Sequence, residues 1–165
     1  MQREWTLVER TQTGGRLVLG ERPDELPADT VVSITLGAGF GLWQFILNGI
    51  ASHFVMKQCL KMPGLVYGEL ASDLKTGFSL TLTVWKGQAM REFRDNKAHG
   101  WSKRMLWWVF YGGKAEAWFL TYQDRRLPDV AEAKRLAETY GRHYKQGGLV
   151  RPQRKPERSA DPTNT

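Results

Sequence analysis

Residues 78–85 read Phe78-Ser79-Leu80-Thr81-Leu82-Thr83-Val84-Trp85. Side chains alternate along an extended chain, so Phe78, Leu80, Leu82 and Val84 share one face and Ser79, Thr81, Thr83 and Trp85 the other. One face is oily and the other carries hydroxyls ending in an indole. No other stretch of the chain reads so plainly as a strand. Just upstream, Leu65–Leu70 is a second strand, joined to it by a turn over Asp73, Lys75, Thr76 and Gly77. Further back, Thr30–Leu36 is rich in β-branched residues and Gly37–Gly41 turns the chain. Leu42 to Lys61 follows as a helix that Pro63-Gly64 ends. Its apolar positions are Leu42, Phe45, Ile46, Gly49, Ile50, His53, Met56 and Leu60, beside a narrow polar stripe of Gln44, Asn48 and Ser52. Trp43, Leu47 and Phe54 are apolar too, so the helix is expected to be covered on more than one side, by a deep core or a subunit contact.

Downstream, Gln88–Lys97 is a short amphipathic helix with Met90, Phe93 and Arg94 at helical spacing. Residues 101–111 admit two readings, a helix striped by Trp101, Met105, Trp108 and Val109, or the first arm of a hairpin turning at Gly112-Gly113. Ala115–Tyr122 is a strand. Asp129 followed by Glu132 starts a last helix that carries Val130, Ala133, Ala137 and Tyr140 and stops at Gly141. Near the N-terminus, Glu4–Arg10 and Arg16–Glu21 flank Thr13-Gly14-Gly15 as a hairpin. The central order β-α-β-β-α-β predicts an α+β protein with a ferredoxin-like antiparallel sheet and both crossover helices on one face. The other face is expected to meet a second identical subunit, giving a homodimer. The expected organisation is a hairpin and loop over 1–29, the α+β domain over 30–141, and a disordered basic tail over 142–165.

The chain has 165 residues, 24 Lys and Arg against 17 Asp and Glu, and a net charge of +7. With 41% hydrophobic residues and a mean hydropathy of −0.46 it falls among soluble globular proteins. More than half of the excess charge lies from Arg142 onward, among Pro152, Pro156 and Pro162. Little there can be buried to offset the entropy of ordering. A solvating terminus is the plainer reading of this tail, and nucleic acid is disfavoured as a partner. The lone Cys59 excludes an internal disulfide and suits a reducing compartment. With only His53, His99 and His143 beside it, no structural metal site is expected. Arg3, Glu4, Glu9 and Arg10 interrupt any apolar leader, so the expected location is cytoplasmic.

No residue between Asp29 and Lys57 is charged, a length that raises the question of a spanning helix. Gly37, Gly39 and Gly41 cluster in the middle of it, and Gln44, Asn48 and His53 follow. Thr30–Leu36 also alternates as a strand. A buried strand, a glycine turn and an apolar helix therefore describe the stretch better than a membrane span. A membrane surface remains a candidate partner, reached through the apolar helix and the basic tail.

Pro63-Gly64-Leu65-Val66, the strand at 78–85, Ala89-Met90-Arg91-Glu92-Phe93 and Lys97-Ala98-His99 together resemble the dimeric α/β-barrel superfamily. That superfamily includes antibiotic-biosynthesis-type, haem-degrading and spheroidene-monooxygenase-like proteins. The likeness covers roughly residues 30–140, including a final helix from Pro128 to Lys134, and its motifs are structural more than catalytic. It implies that 101–110 is helical and that a pocket for flat hydrophobic molecules lies between sheet and helices. It also implies oxygen chemistry that needs either no cofactor or haem. Cofactor-free members let the substrate's own carbanion meet oxygen, steered by Asn, Trp or Tyr. Haem-degrading members place an axial His where this chain has Lys103, a departure from their pattern.

No nucleophile elbow, Walker loop or H-E-x-x-H motif occurs. The core's carboxylates Glu69, Asp73, Glu92 and Asp95 are expected at element ends or on solvent faces, so hydrolase and phosphoryl-transfer chemistry are disfavoured. Seven tryptophans are the positive signal, suiting an apolar cavity with a few polar anchors. The expectation is a small monooxygenase-like enzyme acting on a hydrophobic ring or isoprenoid substrate. The alternative is a binding or partner subunit of the same fold. Substrate-binding candidates are Trp85, Thr83, Phe93, Asn48 and Trp108, of which the tryptophans also have a packing reading. The catalytic candidates are His99 and His53, the latter being equally a satisfied core histidine.

Overall fold

The computed structural model describes residues 4–95, 114–146 and 148–156. Its strands are β1 (Trp5–Arg10), β2 (Gly14–Leu19), β3 (Thr30–Ala38), β4 (Leu65–Asp73), β5 (Phe78–Lys86), β6 (Glu116–Tyr122), β7 (Arg142–Lys145) and β8 (Gly148–Arg151). The described helices are α1 (Leu42–Lys61), α2 (Ala89–Asp95) and α3 (Val130–Tyr140). The eight described strands form one antiparallel sheet in the order β1-β2-β4-β5-β3-β6-β7-β8. Its inner four strands, β4-β5-β3-β6, have the order of the split β-α-β-β-α-β unit. The class is α+β, and the unit is ferredoxin-like.

Alternation on the inner strands creates two unlike faces. Ile34 pairs with Leu82 on one side and Leu120 on the other, so Val32, Ile34, Leu36, Leu80, Leu82, Val84 and Leu120 share a face that is fully buried. α3 packs on this first face through Ala133 and Ala137, whose small side chains admit close approach. The face expected to await a second subunit is thus occupied, in part, by the chain's own last helix. Asp129 caps α3, its carboxylate accepting from the Glu132 amide at 2.8 Å.

The second face carries the odd-numbered residues of β3 and β5, and α1 and α2 lie on this side. Gly77 closes the β4–β5 turn at φ +62, and a Cβ there would stand 2.6 Å from the Phe40 carbonyl. Glycine therefore lets that turn touch the loop that starts α1, where the Phe40 amide donates to the Gly77 carbonyl at 3.2 Å.

Residues 142–165 were expected as a disordered tail, and the structure corrects this through residue 156. Tyr144 and Lys145 pair β7 with β6, β8 pairs with β7, and the Gln153 side chain bonds both the amide and the carbonyl of Thr121. An open sheet edge at β6, with its unpaired amides, outweighs the polar composition that argued for disorder. The N-terminal hairpin joins the same sheet through β2 and β4 rather than standing apart. The two readings of 101–111 fall outside the described residues.

Candidate functional site

The second face is polar in its middle. In register across the three central strands stand Thr83, Ser33 and Thr121, then Thr81, Thr35 and Phe119, then Ser79, Gly37 and Ala117. α1 runs over these rows with Gln44, Asn48 and Ser52 turned inward, and the Asn48 amide nitrogen donates to the Ser79 hydroxyl at 3.0 Å. Apolar contacts frame the layer at both ends. Phe45 and Phe119 pack around Phe40 and Ala117, while Val55 and Cys59 meet Leu65, Trp85 and Phe93. Burial pushes the Cys59 thiol up to about 12, which leaves it a small inert hydrophobe.

The outer side of α1 is apolar, with Leu42, Trp43, Ile46, Leu47 and Ile50 exposed, although the apolar residues of this helix were expected to be covered on more than one side. The sheet supplies a cause: an apolar helix face would desolvate the hydroxyls of this polar layer, whereas the Asn48 amide gives Ser79 a partner.

Three of the sequence candidates come together. The Trp85 indole N–H donates to the Thr83 hydroxyl at 2.8 Å, and the Trp85 ring lies 4.6 Å from that of Phe93 at a tilt of 31°. Trp85 is 1% exposed, however, so its ring is packing for α1 and α2 and not the wall of a chamber. Asn48 sits at the opposite end of the layer, four residues along β5 or about 13 Å away. His53 is exposed on the outer side of α1, with its ring edge-on to Phe54. Its ring does not face the layer that Asn48 enters. Five residues of helix turn the two side chains roughly 140° apart. His99 and Trp108 lie outside the described residues, as does Lys103.

Four of the seven tryptophans are described. Trp43 is 76% exposed on α1, Trp5 packs against the cluster that contains the buried Trp85, and Trp118 lies on the first face, stacked on His143 with centroids 4.6 Å apart. Trp101 and Trp107, like Trp108, lie outside the described residues. A shallow depression of about 300 Å³ does exist, lined by Glu9, Arg16, Asp73 and Phe78, away from the polar layer. Neither described histidine, His53 nor His143, faces that layer. No group of three or more metal-ligating side chains occurs among the described residues, and no described helix is long and apolar enough to cross a membrane.

One titratable cluster escaped the sequence reading. Glu69, expected near solvent, is 1% exposed on the first face. Its carboxylate accepts from the Tyr67 hydroxyl at 2.8 Å and Arg22 at 3.2 Å, and its other oxygen lies 3.2 Å from the Arg16 Nε. Arg22 also donates to the carbonyls of Leu127 and Pro128, each at 3.0 Å, which ties the loop before α3 to β4. Burial first, and then the Glu69 hydrogen bond, push the Tyr67 phenol up to about 12. The signal was present in sequence, since Tyr67, Glu69 and Ala71 alternate in phase. Its meaning needed the two arginines from elsewhere in the chain. On the sheet's far edge Glu116 joins Lys145 and His143, both at 2.7 Å. Lys145 is the main reason its carboxyl is held below the usual range.

No family model and no curated protein matches the chain. Among solved structures it is similar to SnoaB, a cofactor-independent oxygenase from Streptomyces nogalater. The identity is 13% over 62% of this chain and 99% of that one, with a TM-score of 0.49. It is also similar to a candidate monooxygenase from Fusobacterium nucleatum, at 11% identity over 64% of this chain and 51% of that one, with a TM-score of 0.46. A third is an anthrone oxidase-like protein, at 16% identity over 66% of this chain and 54% of that one, with a TM-score of 0.38. The likeness is one of architecture.

Proposed function

We propose that this chain is a small oxygenase-type enzyme whose substrate, a flat hydrophobic ring bearing oxygens, is held between α1 and the hydroxyl-bearing face of the sheet. One observation carries the reading. Thr35 and Thr81 stand in register on adjacent central strands, beneath the amide stripe of α1, and their hydroxyls bond no described residue. Paired hydroxyls near an amide suit the carbonyl or phenol oxygens of such a ring. The sequence resemblance, and the monooxygenase-like proteins of similar architecture, support oxygen chemistry at the level of the fold.

An anthrone illustrates the step. Hydrogen bonds from Thr35 and Thr81 to its carbonyl oxygen favour the enolate, whose proton passes to solvent. The enolate carbon reduces dioxygen and binds it as a peroxide anion, which takes a proton back from solvent, and the resulting hydroperoxide loses water to give the quinone. One anthrone and one dioxygen become one quinone and one water.

The test is oxygen uptake by the full chain with an anthrone, alongside tryptophan quenching as a measure of binding. Uptake matched to quinone formation, reduced at least about ten-fold in kcat/KM by Thr81→Val with unchanged melting, supports the reading. Quenching without oxygen uptake makes the chain a binding module. Neither signal, or full activity in Thr81→Val and Thr35→Val, overturns the site.

A further inference from the structure

We propose that the outer face of α1 is a docking surface for an anionic lipid bilayer, on which the helix lies in the plane of the headgroups. α1 turns its apolar side outward. Leu42, Trp43, Ile46, Leu47 and Ile50 are between 36% and 76% exposed on one side of a 20-residue helix. Together they present apolar area on the order of 500 Å², the size of the largest patch on an ordinary monomer, which is often functional. A soluble helix of ordinary pattern would have turned this side inward. Here the sheet's hydroxyls claim the polar stripe, and the apolar side is left outward.

Charge decides the occupant. The chain carries no Asp or Glu between Asp29 and Glu69, while Lys57 and Lys61 are exposed on α1. Lys57 lies seven residues after Ile50 and eleven after Ile46, so it continues the apolar face toward the C-terminal end of the helix. An apolar face of Leu, Ile and Trp, closed by cations, is what an interfacial helix on anionic lipid requires. A second copy suits the patch less well. A two-fold contact brings a patch against itself, and this one offers lysines with no carboxylate of its own to meet them. The helix is not long and apolar enough to cross a membrane, so it lies on the surface. The described part of the basic tail is tied to the sheet, through β7, β8 and the Gln153 side chain. The inference holds whichever reaction the other side of α1 serves.

The experiment is vesicle flotation of the full chain at low salt. One set of vesicles is pure phosphatidylcholine and the other contains about 30% phosphatidylglycerol. The chain should float with the anionic vesicles and release as salt rises. Ile46→Glu with Ile50→Glu should abolish flotation, while circular dichroism melting stays as in the parent because both sites are exposed. Lys57→Gln and Lys61→Gln should each weaken binding to the anionic vesicles about five-fold. Three results overturn the inference: no flotation of the parent chain, flotation indifferent to the Ile46 and Ile50 changes, or a parent dimer in sedimentation velocity that those changes split without any lipid binding. The last would assign the face to a second copy.

Discussion

Asn48 and Ser79 meet at 3.0 Å, amide nitrogen to hydroxyl, and through that bond a largely apolar helix is held to its sheet by its polar side. Replacing either partner leaves the other short of a hydrogen bond in a half-buried place. Asn48→Ala and Ser79→Ala should each destabilise the chain by about 1 kcal/mol. In a double-mutant cycle followed by urea unfolding, the pair should show a coupling of about 0.5–1.5 kcal/mol. Strict additivity would mean that the helix is held in place by its apolar ends alone.

Glu69 is the buried anion that Arg16, Arg22 and Tyr67 surround. Removing it leaves a phenol without its acceptor and two guanidinium groups without their counter-charge. Glu69→Ala should cost about 3 kcal/mol, near the lower end for a broken buried pair because both arginines remain partly solvated. Thermal unfolding measures this, and a loss below about 1 kcal/mol would show that the network is dispensable.

The Tyr67 phenol, raised from 10.0 to about 12, predicts an alkaline dependence of stability. Its folded pKa lies above its unfolded one, so the neutral form favours the fold. That contribution is complete below pH 10 and is lost as pH rises toward about 12, while the unfolded chain ionises first. Denaturant midpoints across this window should fall more steeply in the parent than in Tyr67→Phe. Parallel curves would contradict the assignment.

Gly77 combines φ +62 with a Cβ position 2.6 Å from the Phe40 carbonyl. Gly77→Ala therefore meets backbone strain and a clash with rigid main chain. It should destabilise by more than about 1 kcal/mol, whereas the same change at Gly49, where a Cβ would meet nothing, should stabilise by roughly 0.4–1 kcal/mol. Calorimetry of the two variants separates the effects.

Much of the architecture was legible residue by residue. Leu42–Lys61, the strand at 78–85 and the Asp129 start of the last helix are set by local spacing, capping and turn chemistry, which act within a few residues. The order of those elements limited the sheet to the split arrangement that the structure has. The polar layer was half legible. Thr83, Trp85 and Phe93 were singled out as a group, but the partnership of Thr35 with Thr81 needed the register of two strands far apart in sequence. His53 and Asn48 could be placed on α1 but not assigned to its inner or outer side.

What the chain's own spacing determined was which residues share a side of each element: hydroxyls with hydroxyls on β5, amides with Ser52 on α1, Tyr67 with Glu69 on β4. What only the tertiary structure decided was which of those sides would be dry. Burial belongs to pairs of surfaces. The hydroxyl face of β3 and β5 drew the amides of α1 inward and left its leucines and isoleucines outside, and Arg16 and Arg22 made a buried Glu69 tolerable.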